Sequence, residues 1–70
     1  MVRVDSYDRA VLNVLLRAGH MMTTNDIAER AGMSWNTADK SLNYLYRYGL
    51  VLRSVRGSRI KRVTYWRINR

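Results

Sequence analysis

Cysteine is absent from the 70 residues, so neither a disulfide nor a thiolate metal site can staple the chain. Histidine occurs once, as His20, and one imidazole cannot build a metal site alone. Placed beside Gly19, it reads as a loop residue just past a helix end, where a cation favours the helix dipole. Proline is missing too, and there is no internal repeat or low-complexity tract. With no glycine-rich phosphate loop and no cluster of acids, the composition argues against an enzyme and implies no catalytic residue, cofactor or metal. No apolar run approaches the ~18 residues a membrane span needs, and MVRVDSYDRA lacks the basic-then-apolar layout of a signal peptide. The expectation is one cytoplasmic domain over residues 1–70. A chain of this size buries only ~60% of its unfolded surface, which leaves little room for a small-molecule pocket beside the core.

The most informative shortage is of acid in the second half. Residues 1–39 hold four arginines against all five acids, while residues 40–70 hold nine basic residues and no acid. One half is close to neutral and the other strongly cationic, which points to a polyanion met by the C-terminal half. Eleven of the thirteen basic residues are arginine, the side chain suited to bidentate contact with phosphate or guanine. A merely solubilising surface would intersperse both signs.

The chain is organised around Thr23 to Val51. Thr23 or Thr24 can cap a helix over about 24–31, with Asp26 in its first turn and Gly32 at the left-handed C-cap position. Ser34 offers a second N-cap, and Ala38, Ser41, Leu42 and Leu45 recur at helical spacing through a helix over about 35–48, closed by Gly49. Two helices joined by a glycine turn form a helix-turn-helix. Ahead of them, Asp5 or Ser6 can cap a helix over 6–18, with Val2 and Val4 available to pack on the body. The apolar arc of that first helix, from Val11 to Ala18, is wider than one stripe. It is either wedged between two neighbours or meets a second copy. His20 to Thr23 fits a brief extended segment.

After Gly49 the period changes. Residues 50–55 read as a strand, Gly57-Ser58 as a turn, and residues 60–68 as the partner strand. Thr64, Trp66 and Ile68 share one face, which carries the larger apolar surface and is expected to close the core. Arg53, Arg56, Arg59, Lys61 and Arg62 cluster around the hairpin tip as a basic finger.

A small-residue helix with Ile27, Ala28 and Ala31 comes first in a recurrent pattern. Gly32-Met33-Ser34, Thr37-Ala38, Leu42, Leu45, Gly49-Leu50-Val51 and the closing Tyr65-Trp66-Arg67-Ile68 follow it. It resembles the winged helix-turn-helix family of DNA-binding domains over nearly the whole chain. The resemblance implies an α+β fold of three helices and a C-terminal two-stranded wing, and a transcriptional regulator acting on double-stranded DNA.

With Ala38, Leu42 and Leu45 facing the core, the helix over 35–48 presents Trp35, Asn36, Asp39, Lys40, Asn43 and Arg47. Asn36 and Asn43 can pair with adenine edges, and Lys40 and Arg47 can reach guanine or phosphate. Asn36 and Lys40, near the N-terminal end, are the expected base readers, with Arg47 on backbone. Ser34 and Thr37 can donate to a phosphate at the helix N-terminus, although Ser34 is an N-cap first. Trp35 either stacks on sugar or thymine methyl, or folds back over Met33. The tip residues Arg56, Ser58 and Arg59 suit an adjacent minor groove or phosphates alone. A lone domain would be weakly specific, so a homodimer on a palindrome is expected. Two other classes compete: an RNA-binding or ribosome-associated winged helix, and a nonspecific or protein-assembly module. The asparagines favour duplex reading over the first, and the uncompensated charge argues against the second.

Overall fold

A computed structural model describes residues 3–70; Val2, expected to pack on the body, lies outside them, and Val4 is half-buried. The element order is α1 (Ser6–Ala18), β1 (Met22–Thr23), α2 (Thr24–Ala31), α3 (Trp35–Arg47), β2 (Val51–Gly57) and β3 (Arg62–Ile68). Each helix starts on a polar cap. Asp5 accepts from the Asp8 N–H while Asp8 accepts from the Asp5 N–H, a reciprocal capping box. Thr23 caps α2 through the Asp26 N–H, and Ser34 caps α3 through the Thr37 N–H.

α3 ends one residue short of the expected Tyr48. Gly49 takes the left-handed conformation at φ 77°, and the Leu50 N–H reaches back to the Leu45 carbonyl at 2.9 Å. That bond closes the last turn and throws the chain directly into β2.

The sheet has three strands in the order β1-β3-β2, all antiparallel. The expected extended segment is thus a strand in its own right, pairing Met22 with Trp66 and Thr23 with Tyr65. The hairpin is also drawn differently from the expected 50–55 and 60–68. β2 runs on to Gly57, and Ile60 and Lys61 leave the strand for a four-residue tip, Ser58 to Lys61. The cause is local: the Ser58 N–H donates to the Lys61 carbonyl, and Ser58 Oγ accepts from the Ile60 and Lys61 N–H groups. Gly57 permits this with φ 124°, and a Cβ there would overlap the Lys61 carbonyl oxygen.

The core is Val11 and Leu15 of α1, Ile27 of α2, Leu42 and Leu45 of α3, with Met22, Val51 and Trp66 from the sheet. Trp66, 1% exposed, is the largest of them. Register puts Val51, Arg53 and Val55 on the same sheet face as Ile68, Trp66 and Thr64, so the face expected to close the core does so. The wide arc of α1 is explained by its wedged position: the helix packs on α2, α3 and β3 together. Leu12, Val14 and Ala18 flank the core, and Leu16 alone of the arc is left substantially in water, at 48% exposed.

Two buried polar contacts join distant parts of the chain. Trp66 Nε1 donates to Thr24 Oγ1 at 2.8 Å, fixing the start of α2 to the middle of β3. Ser41 Oγ donates to Asp8 Oδ1, fixing α3 to the first turn of α1. Asp8 is only 5% exposed, yet both its oxygens are matched by donors.

Candidate nucleic-acid interface

α3 buries Ala38, Ser41, Leu42 and Leu45. At 100° per residue, the line directly opposite that face runs through Asn36, Lys40, Asn43 and Arg47. All four are exposed. Trp35 and Asp39 lie to one side of this stripe and Thr37 and Tyr44 to the other.

The two flanks meet different neighbours. Trp35, 51% exposed, lines a trough of about 310 Å³ with Asp39, Arg62 and Thr64, so the N-terminal end of α3 and the first residues of β3 share one concave surface. Thr37 and Lys40 line a separate cleft of about 610 Å³ with Arg3, Tyr7 and Asp8 against the first turn of α1. These eight residues of α3 therefore divide into an outward stripe, a wing side and an α1 side.

Hydrogen bonding within α3 changes what some of these groups can offer. Ser34 Oγ accepts the Thr37 N–H and gives its own proton to Thr37 Oγ1 at 2.9 Å. The Thr37 hydroxyl proton is then the one free to point outward. Asn43 Nδ2 donates to the Asp39 carbonyl at 2.9 Å, leaving its Oδ1 and one amide hydrogen. Asn36 has no such internal engagement among its described contacts.

The wing does not present its cations as one cluster. Arg53 and Arg62 occupy the sheet face that continues from the core, and Arg53 stacks over the Tyr46 ring at 4.8 Å. Tyr46 in turn stands edge-on to Trp66 at 6.2 Å, so the arginine is held beside the last turn of α3. Arg56 occupies the opposite face, over Tyr65 at 5.9 Å. Arg59 and Lys61 sit in the tip loop, and Ser58 is occupied in bracing that loop. The sequence pattern does not single out Tyr46, because three tyrosines at alternate positions of one helix carry no sign of which will meet the wing. Nor does it single out Ile60, whose parity matches the core-facing residues although it stands at the apex, beyond reach of the core.

Three helices with a helix-turn-helix at their centre, backed by a small antiparallel sheet whose hairpin projects cations beside the second helix, define the winged helix-turn-helix class. The family model for winged helix-turn-helix DNA-binding domains matches residues 4–51, more than half of the chain, and the chain belongs to that family. No curated protein matches the sequence. Among solved structures it is similar to a protein of Methanosarcina mazei described as a possible transcriptional regulator, at 17% identity and a TM-score of 0.82 over 91% of this chain and 55% of that one. It is similar to Lactococcus lactis ZitR in complex with DNA, at 28% identity and a TM-score of 0.73 over 97% of this chain and 44% of that one. A third is the homodimeric winged helix-turn-helix DNA-binding domain Mb0332 of Mycobacterium bovis, at 28% identity and a TM-score of 0.75 over 93% of this chain and 55% of that one. The chain spans about half the length of these structures. No helix among the described residues is long and apolar enough to cross a membrane.

Proposed function

We propose that these 70 residues form one sequence-specific, double-stranded-DNA-binding unit of an intracellular transcriptional regulator. α3 enters the major groove and the wing follows the backbone into the adjacent minor groove. The observation that carries the reading is the bare outward stripe of Asn36, Lys40, Asn43 and Arg47, flanked by a wing without a single acid. An α-helix fits the major groove, and amide and cationic side chains are the groups that read adenine and guanine edges there. Asn36 and Lys40 read bases; Thr37 and Arg47 hold phosphate, while Ser34 sets the helix end that presents them. Asn43 reads a base once its amide leaves the Asp39 carbonyl. Trp35 and Arg62 hold the strand that passes through their shared trough, and Arg53, Arg56, Arg59 and Lys61 supply the wing's backbone contacts.

The DNA-bound state of ZitR and the homodimeric Mb0332 domain, each at 28% identity, support duplex binding by a pair of domains on a two-fold site. Selection from random duplex DNA tests the reading, with affinity measured at several salt concentrations against a structured RNA. A defined motif with two-fold symmetry is expected, and affinity should fall ~10³-fold or more between 50 and 200 mM salt for six to eight phosphate contacts. Asn36→Ala or Lys40→Ala should relax preference at particular bases by about 1–3 kcal/mol. Absence of a motif, with RNA competing as well as DNA, would replace this reading with a nonspecific or RNA-associated winged helix. Sedimentation as a monomer on the selected site would remove the dimer.

A further inference from the structure

The apex of the wing is an isoleucine. Ile60 is 97% exposed, far more than any other large apolar side chain among the described residues. It is not on a frayed end. The Ser58 N–H donates to the Lys61 carbonyl, Ser58 Oγ accepts from the Ile60 N–H at 3.3 Å, and Gly57 supplies the backbone angle that no other residue takes without strain. The loop thus fixes the backbone that carries the side chain, and leaves the side chain with nothing of its own protein to cover it.

What surrounds it is cationic. Arg59 and Lys61 are its sequence neighbours, and Arg62 opens β3. An aliphatic side chain flanked along the chain by cations has a specific complement: a polyanion that can open an apolar gap between its phosphates. Duplex DNA does this when a base step unstacks in the minor groove, where proteins insert leucine, isoleucine or methionine to kink the helix. A groove about 6 Å wide admits side chains from a hairpin tip and not the hairpin itself.

We propose that Ile60 is a minor-groove wedge. It inserts partly between two base pairs flanking the sequence read by α3 and bends the duplex away from the wing, while Arg59 and Lys61 hold the phosphates on either side. Flexible pyrimidine–purine steps are the cheapest to open, so the wedge adds preference for such a step at a fixed distance from the α3 contacts without any hydrogen bond to it. This rests on the DNA-binding reading above.

The test uses the full chain and a duplex carrying its selected site. 2-Aminopurine placed at successive flanking positions reports unstacking, and energy transfer between dyes at the duplex ends reports bending. Wild type should raise the 2-aminopurine signal at one step only and bend the duplex by ~20° or more. Ile60→Ala should abolish both signals and weaken binding by roughly tenfold, with base preference under α3 unchanged; Ile60→Met should retain them. Because the side chain has no contacts to lose, a thermal melt of Ile60→Ala should match wild type. If Ile60→Ala binds, bends and unstacks as wild type does, or Ile60→Lys binds more tightly with no unstacking in either protein, the tip only touches phosphate and the wedge is wrong. The DNA-binding reading then survives. If no duplex site is selected at all, that reading falls first. Ile60-dependent binding to vesicles of three parts phosphatidylserine to seven of phosphatidylcholine, without unstacking of DNA, would give the tip to a lipid surface instead.

Discussion

Replacing Thr24 by valine removes one oxygen from the core and changes little else. Thr24 is buried, and its Oγ1 accepts the Trp66 indole N–H at 2.8 Å. Valine keeps the β-branched shape, so the first turn of α2 and the packing around it persist. The indole N–H is then left buried with no acceptor, since Trp66 is 1% exposed. Leaving such a donor unmatched costs about 1–3 kcal/mol. A domain of this length has roughly 4–10 kcal/mol of stability in total, so the loss is a large fraction of it. At about 4–8 °C per kcal/mol, the melting temperature should fall by roughly 5–20 °C. Urea denaturation followed by far-UV circular dichroism gives the free energy directly, with an unchanged m-value showing that only stability moved. Thr24→Ser is the control: it keeps the acceptor, loses one methyl, and should cost about 0.8 kcal/mol. Valine within ~0.5 kcal/mol of wild type, or serine costing as much as valine, would show that the hydrogen bond does not secure the wing strand to α2.

Two further outcomes follow from the caps and the tip. Ser34→Ala should cost about 1 kcal/mol of stability through loss of the α3 N-cap, whereas Thr37→Val should leave the melting temperature nearly unchanged and weaken DNA binding, because the hydroxyl proton of Thr37 is the free one. Parallel melting and binding curves on the two variants separate these effects. Gly57→Ala should cost about 1–3 kcal/mol locally, since the alanine methyl would meet the Lys61 carbonyl. Hydrogen exchange should then rise at the tip and along β2 and β3 and stay unchanged in α1.

Much of this fold is written in short-range signals. Asp5-Ser6, Thr23-Thr24 and Ser34 announce helix starts, and Gly32 and Gly49 announce stops, because unsatisfied backbone groups at helix ends demand those residue types. The change of period after Gly49 announces the hairpin, and the outward stripe of α3 follows from the positions of Ala38, Leu42 and Leu45. What stays hidden depends on distance along the chain. The extended run before α2 is legible, but at two residues β1 has no period to show a partner, and its pairing depends on Trp66 lying opposite Met22. Ser41 falls on the core-facing spacing of α3 and Asp8 in the first turn of α1, but only the packing of α1 on α3 makes them partners. Ile60 continues the alternation of Arg62, Thr64 and Trp66, so the period alone assigns it to a strand. The Ser58 side chain, bonded to the next two free N–H groups, breaks that continuity. Arg53 and Arg56 fall into one basic finger when the strand is expected to stop at 55; with β2 running on to Gly57, the two-residue period sends them to opposite faces.

The pairing of Met22 with Trp66, and of Thr24 with the same indole, bears on how the chain folds as it is made. A ribosome delivers α1, α2 and α3 well before residue 66. Until then Met22 has no strand beside it, Thr24 has no donor, and the cavity that the indole fills stands open to water. The helices can form and collapse early, but the last large piece of the core arrives with the strand that also carries the wing. Such closure by a sequence-distant contact is slow compared with helix formation. A chain whose three helices have formed before β3 pairs therefore keeps its apolar interior uncovered until the strand arrives. Completion of the hairpin and sealing of the interior are one event.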